Sequence, residues 1–266
     1  MAMTGIINSK GGVGKSTGAV NLSATAGKNG NKVLLVDLDP QGSCTKNLGI
    51  DELSIKHNFV LDDYAATRMF YEKVAPSKLI IDTGFGFDII PAGRDLLKLE
   101  QYIPSIPNGD SLLLRVFNAD EALDYDYIFF DSPGFMGHIV ASIINLTGDI
   151  TISNIATPGS TRGLVDLLEM IEEMNEFRES FPGLDPINIR GHFFCRAEPK
   201  TIVHREQDQE VMEVLGDAHL ANFSISKTTD IGTSEKICKP FISMSPTHKV
   251  TNEFQALFEE LFKEDK

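Results

Sequence analysis

Residues 8–17 read NSKGGVGKST, and this run constrains the fold more than any other stretch of the chain. It follows an apolar, strand-like segment, Thr4–Asn8 (TGIIN), and opens a helix-like one, Ser16–Lys28. Glycines between such elements let the backbone curl so that successive N–H groups point inward. With the positive end of the following helix, those groups cradle an anion. The common phosphate loop, G-x-x-x-x-G-K-[ST], adds a lysine for the β- and γ-phosphates and a hydroxyl for Mg2+. Gly14, Lys15 and Ser16 complete that form, but Ser9 stands where its first glycine belongs, and a second lysine, Lys10, precedes Lys15 by five positions. The expected phosphate cradle is Gly11, Gly12, Val13, Gly14, Lys15 and Ser16, with Thr17 at the helix start near the α-phosphate. A glycine-rich turn with incidental lysines would not need a strand before it and a helix after it.

Short, nearly continuous apolar segments alternate with amphipathic ones along the rest of the chain. Lys32–Asp37 (KVLLVD), Tyr127–Asp131 (YIFFD), Ile150–Ile155 (ITISNI) and Ile187–Phe194 (INIRGHFF) read as strands. Arg162–Phe177 and Asn252–Lys263 read as helices, the first with Leu164, Leu167, Leu168 and Ile171 on one face. Strands that are apolar throughout imply a parallel sheet covered on both sides. The expectation is an α/β fold: a mostly parallel twisted sheet with helices on both faces, the P-loop NTPase arrangement. With no repeat or linker, residues 1–266 read as a single domain. Residues 51–86 are less regular and give no firm element.

Composition narrows the function. The net charge is −14, so the surface as a whole is not a nucleic-acid footprint, and any DNA contact must be a local patch. No run is apolar for long enough to span a bilayer, and MAMTGIINSK lacks the basic-then-apolar pattern of a secretory leader. The three cysteines are scattered without a C-x-x-C pair, and the six histidines lack metal-ligand spacing. These features fit a reduced, cytoplasmic protein without structural zinc.

Phosphoryl transfer requires a metal and a positioned water. Two acidic strand ends could serve: VLLVDLDPQGS (Val33–Ser43), with Asp37 and Asp39, and YDYIFFDSPG (Tyr125–Gly134), with Asp131. A carboxylate at the carboxyl end of a parallel strand faces the ligand crevice. Asp131 suits the metal-holding role and Asp39 the water-positioning one. Asp37 is open between a second metal-site acid and a turn former, since Asp-Pro and Ser-Pro-Gly are also ordinary turn sequences.

These stretches resemble those of a known family. SKGGVGKST looks like the deviant Walker A motif of the ParA/MinD superfamily of ATPases, x-K-G-G-x-x-K-[ST], and residues 9–16 match it throughout. VLLVDLDPQGS resembles the Walker A′ segment of ParA proteins. YDYIFFDSPG resembles their Walker B strand, where a second proline is more usual than Gly134. DIIPAGRDLLKLE (Asp88–Glu100) is similar to a segment lying between those motifs, and the likeness covers essentially the whole chain. The resemblance implies an ATPase that binds ATP or ADP with Mg2+, turns over slowly and is stimulated by a partner. It implies a homodimer in the ATP state, with Lys10 of each subunit touching the phosphates held by the other. A cation in a water-poor interface is costly unless paired, and the partner's triphosphate would pair it. On this reading Lys10, Lys15 and Asp39 are catalytic, Lys10 joins the nucleotide-binding set, and Ser16, Asp131 and Asp37 are the metal residues.

Branches of the superfamily can be separated. The nitrogenase iron protein needs cluster-holding cysteines, but Cys44 follows the A′ segment and neither Cys195 nor Cys238 follows Walker B closely. MinD-like proteins end in a basic membrane-docking helix. Here TNEFQALFEELFKEDK sets Phe254, Leu257, Phe258, Leu261 and Phe262 against Glu253, Glu259, Glu260 and Glu264. Anionic lipid would repel that face, so a helix packed on the core is expected, with no membrane partner. The phosphate loop begins by residue 9, leaving no place for an N-terminal helix-turn-helix, which fits the small, Soj-like ParA type. That type implies nonspecific DNA binding by the ATP dimer, a ParB-like or other adaptor protein, and a cytoplasmic, nucleoid-associated location. GHFFCRAEPKTIV (Gly191–Val203) aligns loosely with a ParA segment whose arginine touches DNA, and Lys200 takes that place. Lys227 is a second candidate, in KTTD, where Asp230 is unsuited; Lys236 and Lys239 could add to a patch. Lysine meets phosphate as a point charge, without the two-pronged grip of arginine. The alternative is an ATP-gated scaffold that positions a non-DNA cargo of the carboxysome or cluster kind; a metabolic P-loop enzyme stands third. Family geometry would put the adenine near Cys195–Ala197 and Ser224–Ser226.

Overall fold

The apolar segments lie side by side in one seven-stranded sheet of the computed structural model, which describes residues 1–179 and 185–263. The first half runs β1 (Ala2–Ile7), α1 (Lys15–Lys28), β2 (Val33–Asp37), α2 (Ser43–Asn47), α3 (Ile50–His57), α4 (Thr67–Tyr71), β3 (Ile81–Asp82), β4 (Asp88–Ile90), α5 (Leu96–Tyr102) and α6 (Leu112–Asn118). The second runs β5 (Tyr127–Asp131), α7 (His138–Thr147), β6 (Asp149–Asn154), α8 (Ser160–Glu179), β7 (Asn188–Phe194), α9 (Ile202–Leu215), α10 (Asp230–Lys236), α11 (Phe241–Met244) and α12 (Lys249–Leu261).

The strand order is β3-β4-β2-β5-β1-β6-β7. Every pairing is parallel except that of the edge strand β3 with β4. Alternate residues of each inner strand enter opposite cores. Ile7, Leu34, Val36, Ile128 and Phe130 join the side covered by α5, α6, α7 and α8. Ile6, Val33, Leu35, Phe129 and Phe193 join the side covered by α1 and α12. Two covered faces are why these strands show no polar alternation. From β1 the chain departs first toward β2 and later toward β6 and β7. The carboxyl end of β1 is therefore where strand order reverses, the place at which open α/β sheets bind ligands.

The closing helix packs as its composition requires. Phe254, Leu257, Phe258, Leu261 and Phe262 are buried, with Phe258 5.3 Å from Tyr127 and Phe262 5.6 Å from Phe129 between ring centres. Glu264 lies outside the described residues. Among those residues no helix is long and apolar enough to cross a membrane.

The structure adds elements that periodicity does not announce. Residues 51–86 hold most of α3, all of α4 and the edge strand β3, while β4 falls in the DIIPAG stretch. Strands of two and three residues carry too little pattern to read. α7 is apolar nearly all round because it is buried between sheet and helices, and so lacks a polar face to mark it. α8 begins at Ser160, two residues earlier than its pattern suggests.

Candidate functional site

The loop after β1 is tied down on every side. Asn8 Nδ2 donates to the Ser153 carbonyl at 2.9 Å, and Asn8 Oδ1 accepts from the Lys10 amide at 2.9 Å. Ser153 Oγ donates to the Val13 carbonyl at 3.0 Å, and Val13 is fully buried. Ser9, the departure from the common motif, donates its hydroxyl to the Gly163 carbonyl at 2.9 Å, fastening the loop to the first turn of α8. Gly14 caps α1 at φ 89°, in the left-handed region, and a Cβ there would lie 2.6 Å from Cys195 Sγ. Glycine is thus required both by the backbone and by the close approach of β7. Gly134, where the resemblance leads one to expect proline, also has a reason. A Cβ on it would sit 2.9 Å from Gly11 Cα, so the loop after β5 closes directly onto the phosphate loop.

The cleft above this loop holds about 470 Å³ and is lined by Gly11, Gly12, Gly14, Lys15, Ser16, Thr17, Asp39, Phe135, Arg196 and Glu235, among others. The Lys15 side chain is buried, and its Nζ donates to the Lys10 carbonyl at 3.0 Å. Burial holds its ammonium below the ordinary lysine pKa, against the pull of Asp131 and Asp39. Ser16 Oγ donates to Asp131 Oδ2 at 2.6 Å, and Cys44 Sγ reaches the same oxygen at 3.2 Å. Among the described residues, Asp131 Oδ1 is buried without a hydrogen-bond partner. Asp39 is half-buried in the cleft wall, its Oδ1 accepting from the Gln41 amide at 2.8 Å.

Asp37 pairs in register with Asp131 across β2 and β5, and both are fully buried. Burial raises the pKa of each carboxyl, and their mutual repulsion adds to the rise at Asp37. The Asp37 carboxyl is engaged by the protein on both oxygens. Its Oδ2 accepts from the Thr45 amide at 2.8 Å and the Thr45 hydroxyl at 2.7 Å, and its Oδ1 from the Asp39 amide at 3.3 Å. With donors on both oxygens, it braces the turn that carries Asp39.

Lys10 does not line the cleft. Its exposed Nζ contacts Thr157 Oγ1 at 3.3 Å, outside the site whose loop it belongs to. The basic candidates come from three segments. Lys200 is exposed before α9, and Lys236 is exposed at the end of α10. A bridge between Ala197 and Ser226 brings the Lys200 and Lys227 segments side by side, but Lys227 Nζ is paired with Glu198 at 2.9 Å. Of the two stretches expected near a base, the first contributes Arg196 to the cleft. The second is engaged elsewhere, Ser226 bonding to Glu253 through its amide at 2.8 Å and its hydroxyl at 2.6 Å. Arg196 and Glu235 carry no motif. Arg196 sits at φ 55°, and Glu235 Oε1 accepts from Thr17 Oγ1 at 3.0 Å.

The same architecture occurs in characterised proteins. The model of the AAA domain family matches residues 1–181. The chromosome-partitioning ATPase Soj of Thermus thermophilus is 25% identical over 96% of this chain and 93% of its own. A putative plasmid partition protein of Borrelia burgdorferi, solved bound to AMPPNP, superposes with a TM-score of 0.80 at 23% identity, covering 99% of this chain and 98% of that one. A cobyrinic acid a,c-diamide synthase of Mycobacterium smegmatis, solved with an ATP analogue and magnesium, superposes with a TM-score of 0.80 at 21% identity, covering 100% and 96%. Such structural likeness at low identity shows the fold alone, since one fold hosts different chemistries.

Proposed function

This chain belongs to the AAA domain family, as one of the Soj-like partition ATPases of the ParA/MinD superfamily, and on that premise we propose that it is a Mg2+-dependent ATPase that cycles between monomer and ATP-bound homodimer. In the ATP state it holds DNA without sequence preference, and with an adaptor protein it moves or spaces a cargo. One observation carries the enzymatic part: Ser16 Oγ lies 2.6 Å from Asp131 Oδ2 at the foot of a glycine-lined cleft that also holds Lys15 and Asp39.

The residues fit a Mg2+ ion. Ser16 presents a hydroxyl to the cleft, and behind it Asp131 keeps one buried oxygen without a partner, a group that a metal-bound water could satisfy. When bound, Mg2+ would neutralise charge building on the β- and γ-phosphate oxygens. The amides of Gly11 to Gly14 would cradle the phosphates. Lys15 would exchange the Lys10 carbonyl for phosphate oxygens, regaining a full charge partner for its buried ammonium. Asp39 would orient the attacking water, with its free oxygen toward the cleft. Lys10, pointing out of its own site, would serve the nucleotide of a second copy.

DNA retention would draw on Lys200, Lys227 and Lys236, brought together on the dimer, and would be weak and salt-sensitive given the net charge of −14. A second reading keeps the ATP switch but replaces DNA with protein cargo. The Lys227–Glu198 ion pair favours it, since that lysine is already neutralised. Phosphate release tests the enzymatic core shared by both. Turnover well below about 1 s⁻¹ is expected, abolished by EDTA and restored by Mg2+. Turnover indifferent to EDTA, or none with Mg2+ present, would contradict it.

A further inference from the structure

Glu235 is a cleft carboxylate to which neither the metal nor the attacking water gives a role. Glu235 lines the cleft from α10, and its Oε1 accepts the Thr17 hydroxyl at 3.0 Å. Among the described residues it has no ion pair, so its charge is met there by a single neutral donor. Thr17 follows Ser16 directly on α1, which puts Glu235 one residue beyond the metal and phosphate groups. Against a phosphate oxygen this carboxylate would only repel. Held by the Thr17 hydroxyl and set apart from the Ser16–Asp131 pair, it can serve a nucleotide by accepting hydrogen bonds. A nucleotide offers such donors at the ribose hydroxyls and at the exocyclic amine of the base, and the sugar is the part nearest the α-phosphate. Arg196, which lines the same cleft from the loop after β7, presents a planar cation suited to the face or edge of a base.

We infer that Glu235 is the ribose-recognising residue of the site: its carboxylate leaves the Thr17 hydroxyl and accepts from the 2′- and 3′-hydroxyls of the bound nucleotide. The inference rests on the nucleotide reading above and deepens it. It makes the protein selective for ribonucleotides over deoxynucleotides. A hydrogen bond to a charged acceptor is stronger than one between neutral groups, so loss of one hydroxyl should weaken binding about 10-fold or more.

The test is calorimetric titration with ADP, 2′-deoxy-ADP and 3′-deoxy-ADP, each with Mg2+, which avoids hydrolysis. The native protein should bind ADP at least about 10-fold more tightly than the weaker-binding deoxy form. Glu235→Ala should bind all three alike, at the deoxy level, and Glu235→Gln, which keeps an acceptor oxygen, should recover part of the preference. Equal binding of the three by the native protein overturns the inference and leaves the nucleotide site standing. So does a Glu235→Ala variant that still discriminates, or one that weakens all three equally as a metal or structural role would. Failure of the native protein to bind ADP at all overturns the inference and the nucleotide reading together.

Discussion

Asp39→Ala should lower the rate of ATP hydrolysis about 100-fold or more while nucleotide binding and the ATP-dependent dimer persist. Asp39 lines the cleft from the turn after β2, and one of its oxygens is spent on the Gln41 amide at 2.8 Å. The other oxygen is the group available to orient water against the γ-phosphate. The phosphates themselves would be held by the Gly11 to Gly14 amides, Lys15 and Ser16, none of which hydrogen-bonds to Asp39. Removing the carboxylate should therefore leave the ground state intact and raise only the barrier. Removal of a positioned acid or base typically costs two to four orders of magnitude in rate. Single-turnover phosphate release reads the chemistry, and sedimentation with ATP reads the dimer. Hydrolysis at the native rate would remove Asp39 from the mechanism; loss of ATP binding would show instead that it shapes the pocket.

Lys10→Ala should separate binding from assembly. The Lys10 side chain lies outside its own cleft, with its Nζ 3.3 Å from Thr157 Oγ1, so ATP affinity of the isolated subunit should change by less than about threefold. Its backbone carbonyl, which receives Lys15, survives the substitution. In the dimer each Lys10 would instead meet the partner's nucleotide. Charge-assisted hydrogen bonds contribute roughly 1.5–3 kcal/mol, and the substitution removes a pair of them. The dimer dissociation constant should then rise by about 10²- to 10⁴-fold, enough to abolish ATP-dependent assembly at ordinary concentrations. Sedimentation with a non-hydrolysable ATP analogue decides the matter. Normal dimers would make Lys10 an ordinary surface lysine.

The parts of this site that are contiguous in the chain are legible in the sequence. Anion binding by backbone amides demands consecutive residues of fixed types, so residues 9–17 announce themselves, and Asp131 and Asp39 stand out because the first closes an apolar strand and the second lies two residues past the end of another. Asp37 shows the limit of that reasoning. It ends β2 as Asp131 ends β5, yet Thr45, eight residues further on, takes one of its oxygens. The contact depends on how the A′ segment folds back, which no spacing rule records. Arg196 reaches the cleft from the loop after β7 and Glu235 from the short helix α10, stretches without a readable period, so nothing local distinguishes them from surface charge. Gly134 is an instance where a departure from the family pattern was visible but its cause was not. The cause is the approach of Gly11, more than a hundred residues earlier. The edge strand β3 and its neighbour β4 escaped for another reason, having too few residues to express a period.

The central claim is that nucleotide state governs attachment to DNA. Retention of the protein on random-sequence duplex, at near-physiological salt, tests it with a non-hydrolysable ATP analogue, with ADP and with no nucleotide. The account predicts retention with the analogue alone, falling steeply as salt is raised because phosphate contacts by lysines release counterions. Equal retention in all three states would contradict the switch. No retention in any state, with dimers still forming on the analogue, would contradict the DNA role and leave Lys200, Lys227 and Lys236 as solvated charges on an ATP-gated protein scaffold.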